Sequence, residues 1–124
     1  MAIDTITSFE SLGVWQKSQD LAVDVYKLTR GFPKDETFAM TSQLRRASSS
    51  VSANIAEGFG RSAMNDKLHF YTMAYGSLLE VKNFAYLANR IGYITSEDLT
   101  ALLEQITICQ KMLNAFKSGL KRSA

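Results

Sequence analysis

The sequence is poor in the residues that build reactive and cross-linked sites. Among its 124 residues it has one cysteine, Cys109, one histidine, His69, and one proline, Pro33. A single cysteine excludes a disulfide within the chain and any site with several thiolate ligands, and it is typical of a reducing compartment such as the cytoplasm. A single histidine excludes a histidine-rich metal site and leaves one candidate base for a nucleophile. We therefore expect no metal, no cofactor and a cytoplasmic location.

The sequence also lacks a long apolar run and a strong charge of one sign. No segment has the length and apolar character of a signal peptide or a membrane span, so we expect no membrane association. The formal net charge of +2 is too small to indicate a nucleic-acid partner by itself. A composition of 46% hydrophobic and 21% charged residues is typical of a folded domain. The length predicts a single domain over residues 1–124.

The alternation of β-branched and polar residues that is typical of strands is missing, and apolar residues recur instead at spacings of three and four. Gly31 and Pro33 predict the end of one helix and a turn. The whole pattern predicts four helices, at residues 12–30, 37–59, 65–91 and 96–120. Four long helices with short connections are typical of an all-α, antiparallel four-helix bundle with up-down-up-down topology.

Helix ends have local signals. We expect Thr37 or Asp35 to cap the second helix, and Thr95 or Ser96 to cap the fourth. Glycines then predict where helices end: Gly58 and Gly60 would end the second helix in the left-handed conformation, and Gly92 would end the third.

The second predicted helix has three distinct faces when its residues are placed at intervals of 100°. One is an apolar core face, formed by Met40, Leu44, Ala47, Val51 and Ile55. The next is a polar strip of Gln43, Arg46, Ser50, Asn54, Glu57 and Arg61. The third, here named the small-residue strip, holds Ser42, Arg45, Ser49, Ser52, Ala53, Ala56 and Gly60.

Small side chains allow another backbone to approach closely. The small-residue strip therefore predicts a homo-oligomer, with an interface at Ser49, Ser52, Ala53 and Ala56; the alternative is an exposed surface of alanine and serine. The polar strip also has two interpretations. Its arginines could hold phosphate groups. Alternatively, Glu57 pairs with Arg61, and Arg46 pairs with a carboxylate on a neighbouring helix such as Glu80.

Signals for catalysis are weak. His69 has no acidic residue placed to orient it, and a catalytic base needs a partner within hydrogen-bond reach. Cys109 lies on the apolar face of the fourth helix, where a buried structural thiol is expected. The Gly58-to-Arg61 segment lacks the preceding strand and the lysine of a phosphate-binding loop. The sequence predicts no enzyme and no catalytic residue.

Three segments together carry a resemblance to a known family. These are Ser42-Gln43-Leu44-Arg45-Arg46-Ala47, residues 54–61 with the sequence NIAEGFGR, and Gly76-Ser77-Leu78-Leu79-Glu80. The chain resembles the bacterial four-helix-bundle proteins encoded by intervening sequences within 23S ribosomal RNA genes. The resemblance extends from about Phe9 to Leu120. Lys67 departs from it, because many relatives carry an aromatic residue there.

The resemblance implies a ring-shaped homo-oligomer, typically a homopentamer, similar in fold to the accessory proteins of diversity-generating retroelements, which bind nucleic acid and a reverse transcriptase. It carries over no catalytic residue. It marks family motif positions of uncertain role at Asn54, Glu57, Gly58, Gly60, Gly76 and Glu80.

The leading functional hypothesis is a non-enzymatic oligomeric module that binds RNA or scaffolds a nucleoprotein complex. Its candidate nucleic-acid-binding residues are Arg45, Arg46, Arg61, Lys117, Lys121 and Arg122. The last three lie near the end of the fourth helix, where the helix dipole also explains basic residues. The alternative is a protein–protein interaction assembly with no nucleic-acid role.

Overall fold

The computed structural model describes residues 8–123, so the predicted domain of residues 1–124 extends beyond the described residues at both ends. The elements, in chain order, are a short 3₁₀ helix at Phe9–Ser11, α1 at Gly13–Thr29, a second 3₁₀ helix at Lys34–Glu36, α2 at Met40–Phe59, α3 at Met64–Arg90 and α4 at Ser96–Ser123. The described chain has four α-helices and no strand. The protein is therefore all-α, as predicted. None of these helices is both long and apolar enough to cross a membrane.

The helices pack in a four-cornered arrangement around one core. Each packs against its neighbours in sequence, and α1 also packs against α4. Among the described residues, the diagonal pairs α1–α3 and α2–α4 make no comparable contact. The apolar face predicted for the second helix is buried along its whole length, and all four helices contribute large buried side chains. The largest of these are Tyr71, Leu21, Leu44, Ile55, Leu78, Leu102, Ile106 and Leu113.

The second helix begins three residues later than predicted, at Met40. The chain forms the 3₁₀ helix Lys34–Glu36 first, and the hydroxyl of Thr37 donates to the carbonyl of Lys34 at 2.7 Å. Neither predicted cap bonds to the helix end. Instead, Glu36 accepts a hydrogen bond from the backbone N–H of Met40 at 3.3 Å, and thereby satisfies one of the free donors of the first turn.

The expectation of left-handed glycines at the end of α2 is wrong. Gly60 has φ −78°, in the right-handed region, and Gly58 lies inside the helix. Gly58 is needed for close approach: a Cβ there would lie 2.6 Å from Cε1 of Tyr71 and 3.0 Å from Cβ of Phe70. Gly92 does have the positive φ predicted for a helix-ending glycine, at +86°.

The start of α4 agrees with the sequence. The hydroxyl of Thr95 accepts a hydrogen bond from the N–H of Asp98 at 3.0 Å, and the Asp98 carboxylate accepts one from the N–H of Thr95 at 3.3 Å. This reciprocal pair is a capping box, which satisfies two backbone donors at once.

Candidate nucleic-acid and assembly surfaces

Arg45 is half-buried and fixes the end of α1 to α2. Its Nε donates to the hydroxyl of Thr29 at 2.8 Å, and its guanidinium lies over the ring of Tyr26, 4.7 Å from the centroid. A second nitrogen donates to the carbonyl of Tyr26 at 3.4 Å. A positive charge at the C-terminal end of α1 also complements the helix dipole. These interactions hold the C-terminal end of α1 against α2.

The two arginines of the polar strip are paired with carboxylates. Arg46 lies 2.6 Å from Glu80 of α3, and Arg61 lies 2.8 Å from Glu57 one helical turn earlier. These are the two partners that the intramolecular interpretation of the strip named. Both pairs are about half exposed to solvent, so each contributes at most about 1 kcal/mol to stability. Arg61 also lies over the ring of Phe70, 4.7 Å from its centroid.

Asn54, another residue of the polar strip, donates within its own helix. Its Nδ2 donates to the carbonyl of Ser50 at 2.9 Å and to the hydroxyl of Ser50 at 3.1 Å. Asn54, Arg46 and Arg61 thus each donate a hydrogen bond to a group within the chain. Of the other motif positions, Gly76 is exposed, and a Cβ built there would meet nothing within 4 Å.

The small-residue strip is divided between the inside and the outside of the protomer. Ser52 is buried against α1, where it accepts a hydrogen bond from Nε2 of Gln19 at 2.9 Å. Ser49 and Ala53 are exposed and Ala56 is half-buried. Ala53 and Ala56 line a surface groove of about 420 Å³, together with Phe9, Glu57, Gly60 and Arg61. Of the four predicted interface residues, Ser52 therefore belongs to the α1–α2 contact.

The end of α4 differs from the polar strip. Lys121 and Arg122 are exposed, and Lys117 is half-buried, with its Nζ 3.3 Å from the hydroxyl of Thr72. In residues 8–123 the ion pairs are those of Arg46 and Arg61, so no cation of α4 has a carboxylate partner there. Three cations near one helix end thus keep their charge available to a ligand.

The two residues with catalytic potential stand apart. His69 is exposed and packs edge-to-face on Phe70, with ring centroids 5.8 Å apart. Cys109 is 1% exposed, and burial raises the pKa of its thiol. Within residues 8–123, no three His, Cys, Asp or Glu side chains come together as metal ligands could.

Two features of the surface carry no clear sequence signal. Lys67, which departs from the family resemblance, donates to the carbonyls of Phe59 at 2.8 Å and Gly58 at 3.4 Å. It therefore satisfies the carbonyl of Phe59, which the end of α2 leaves without a backbone donor, and adds a longer contact to the carbonyl of Gly58, which already accepts from the N–H of Arg61. Phe38 is 95% exposed in the turn before α2, although it falls within the predicted helix at residues 37–59.

A comparison with known protein families finds a match over most of the chain. The model of the family described as 23S rRNA-intervening sequence protein matches residues 10–115. The chain belongs to this family. A crystal structure from Bacteroides thetaiotaomicron, described as a protein with unknown function from the S23 ribosomal protein family, is similar to this 23S rRNA-intervening sequence protein, with a TM-score of 0.75. The two are 26% identical, and the match covers 84% of this chain and 97% of that one. No functionally curated protein matches the chain.

Proposed function

We propose that this 23S rRNA-intervening sequence protein is a non-enzymatic, homo-oligomeric scaffold that binds RNA through the end of α4. The observation that supports this most directly is the set of cations at Lys117, Lys121 and Arg122, which have no carboxylate partner in the described residues. Phosphate contacts supply most of the affinity of proteins that bind nucleic acid with little sequence preference. Unpaired lysine and arginine side chains are the groups that make such contacts.

The charge is concentrated at one end of the helices. Contacts between Tyr71 and Phe116, between Gly58 and Tyr71, and between Gly13 and Met112 bring residues 8–18, 54–76 and 108–123 to the same end. The basic residues of these segments are Lys17, Arg61, Lys67, Lys111, Lys117, Lys121 and Arg122, against the acidic residues Glu10, Glu57 and Asp66. The segments 24–50 and 78–107 at the other end have equal numbers of basic and acidic residues.

We further propose that the bundle is antiparallel, with up-down-up-down topology. The contacts between neighbouring helices support this. Moving along a pair of helices, the residues of one helix increase in number while their contact partners on the other decrease, as they do in an antiparallel pair. Along α1 and α2, Gln19 meets Ser52 and Thr29 meets Arg45. The α2–α3 contact follows the same rule.

The proposed oligomer is a ring, with a homopentamer as the expected form and the cytoplasm as the expected compartment. The exposed part of the small-residue strip, Ser49 and Ala53, supports an interface there. A ring also has a functional consequence. Because it repeats the basic end of each protomer, a modest patch on one chain becomes a continuous belt that attracts a polyanion.

Fluorescence anisotropy with a labelled, structured RNA tests the proposal. We expect binding in the micromolar range or tighter at low salt, with log K falling linearly as log salt concentration rises. Failure to bind even at low salt would remove the RNA proposal. The non-enzymatic proposal fails if the protein turns over any substrate and His69→Ala abolishes that turnover.

A protein–protein assembly without RNA is the second candidate, and exposed apolar side chains along α3 and at its C-terminal cap favour it. Leu79, Tyr86, Leu87 and Ile91 are each between 43% and 50% exposed. Large exposed apolar patches are typical of protein interaction sites. Charge reversal at Lys117, Lys121 and Arg122 separates the candidates. If RNA binding is unchanged and a protein partner is retained, the interaction assembly is correct.

A further inference from the structure

His69 is an exposed aromatic side chain at the basic end of the helices, and the proposed RNA site does not yet use it. It lies in the second turn of α3, three residues before Thr72. Residues three apart on a helix are neighbours on its surface, with Cβ atoms about 5–6 Å apart. The hydroxyl of Thr72 lies 3.3 Å from Nζ of Lys117. His69 and the first of the α4 cations therefore belong to one surface.

The imidazole of His69 has a face open to solvent. Its aromatic contact in the described residues is the edge-to-face pair with Phe70, with ring centroids 5.8 Å apart and an interplanar angle of 70°. Such a pair covers at most one face of each ring, and the His69 side chain is exposed. A second flat π-system can therefore stack on it.

Phe70 gives the imidazole a fixed support. The guanidinium of Arg61 lies over the Phe70 ring, 4.7 Å from its centroid. On the side of α2, Phe70 packs so closely that a Cβ at Gly58 would lie 3.0 Å from its own Cβ. Because its neighbour is already held, His69 loses little conformational entropy when a ligand stacks on it.

The carboxylates near this surface limit where a phosphate group can lie. Glu57 is already paired with Arg61, at 2.8 Å. Asp66 is exposed, has no ion-pair partner in residues 8–123, and lies three residues before His69, on the side away from Thr72. Since its charge repels phosphate, the favourable side of His69 is the one that faces Lys117.

Aromatic rings beside free cations are typical of proteins that bind single-stranded nucleic acid, because the cations contact phosphates and the rings stack on bases. In a duplex the bases are already stacked and paired, so only an unpaired base can cover His69. We infer that the end of α4 binds unpaired RNA, with one base stacked on His69 and the adjoining phosphates on Lys117 and Lys121. This inference rests on the proposed RNA binding and names the class of RNA, which the loops of a structured RNA also supply.

Fluorescence anisotropy with three labelled probes separates base stacking from phosphate contact. The probes are a single-stranded oligouridylate, an abasic oligonucleotide with the same number of phosphates, and a blunt RNA duplex. The wild-type protein is expected to bind the oligouridylate about 10-fold more tightly than the abasic oligonucleotide, because the abasic probe offers nothing to stack on His69.

Variants at His69 assign that difference to one side chain. His69→Ala should weaken binding of the oligouridylate by about 10-fold and leave binding of the abasic oligonucleotide unchanged. The slope of log K against log salt should also stay unchanged, because stacking releases no counterions. His69→Phe keeps a flat ring and should keep the wild-type affinity. The matched control is Tyr86→Ala, which removes an exposed aromatic residue of α3 roughly 26 Å further along the helix and should bind as the wild type does.

The inference is overturned if His69→Ala binds the oligouridylate like the wild type, if the abasic oligonucleotide binds equally well, or if the duplex binds more tightly than the oligouridylate. A salt slope that changes equally in His69→Ala and His69→Phe also overturns it, because the imidazole would then contact phosphate. In each case the proposed function stands if Lys117→Gln, Lys121→Gln and Arg122→Gln together weaken binding. A wild-type protein that binds none of the probes contradicts the proposed function, and this inference with it.

Discussion

The arginines of α2 and the cations at the end of α4 have the same charge in different surroundings. Arg46 and Arg61 each have a carboxylate partner within 3 Å, and Arg45 donates to groups of α1. Lys121 and Arg122 are exposed and have no such partner in the described residues. Arginine-rich sequence is thus a poor guide to ligand binding by itself. What matters is whether the structure already satisfies the guanidinium groups.

Charge reversal should produce the largest difference between the two regions. We expect Lys117→Glu, Lys121→Glu and Arg122→Glu together to weaken RNA binding by about 100-fold or more near physiological salt, because phosphate contacts are lost and repulsion is added. Anisotropy measures the loss.

The matched control reverses three exposed basic residues at the opposite end, Lys27, Arg30 and Arg90, and therefore changes the net charge equally. It should weaken binding far less. Equal losses in the two variants would mean that only net charge matters, and the contrast between regions would disappear.

A substitution at Gly58 tests whether the close packing of α2 against α3 contributes to stability. A methyl group there would overlap the Tyr71 ring, so Gly58→Ala should lower the free energy of unfolding by about 1–3 kcal/mol, the usual cost of overpacking. Urea denaturation gives the value.

Gly76→Ala is the comparison, since nothing lies within 4 Å of a Cβ at that site. In an exposed helix interior this change should raise stability by about 0.5–1 kcal/mol. If Gly58→Ala is neutral or stabilising, the close approach to Tyr71 is not a packing constraint.

The Arg46–Glu80 pair should have a smaller effect. A double-mutant cycle with Arg46→Gln and Glu80→Gln should give a coupling of about 0.2–1 kcal/mol, since both side chains are about half exposed. RNA affinity should hardly change in the Arg46 variant. A large loss of RNA binding, with a coupling near zero, would instead assign Arg46 to the ligand.

The ionisation of Tyr71 should not affect stability near neutral pH. In strong alkali it should make stability depend on pH. Burial raises its pKa from 10.0 to about 12, so the folded state keeps a proton that the unfolded state loses. The free energy of unfolding should therefore fall as pH rises from 10 to 12. Denaturation at several pH values should show a shallower fall for Tyr71→Phe; an identical fall would place the alkaline instability elsewhere.

Periodicity predicted the buried faces well, because burial of an amphipathic helix depends on a repeat that the sequence contains. Every member of the predicted core face of α2, from Met40 to Ile55, is buried. The polar strip also led to the correct suggestion of Glu80 as a partner for Arg46, because a guanidinium group that is partly buried needs a carboxylate within reach.

The errors lie where the outcome depends on contacts distant in sequence. The close approach of Tyr71 to Gly58 depends on how two helices pack, so the local pattern of a helix-ending glycine was misleading. The burial of Ser52 by Gln19 has the same cause. Phe38 was missed because the prediction placed it in the first turn of the second helix, whereas it lies before α2 and is 95% exposed.

The dependence of RNA binding on salt, measured for two neutralised variants, tests the central claim most directly. One variant changes Lys117, Lys121 and Arg122 to glutamine, and the other changes Arg46 and Arg61. For the first, we predict that the slope of log K against log salt becomes shallower by about 2–3, because each lost phosphate contact removes nearly one unit. For the second, we predict the wild-type slope. A slope that changes in the α2 variant and not in the α4 variant would contradict the assignment of RNA binding to the end of α4.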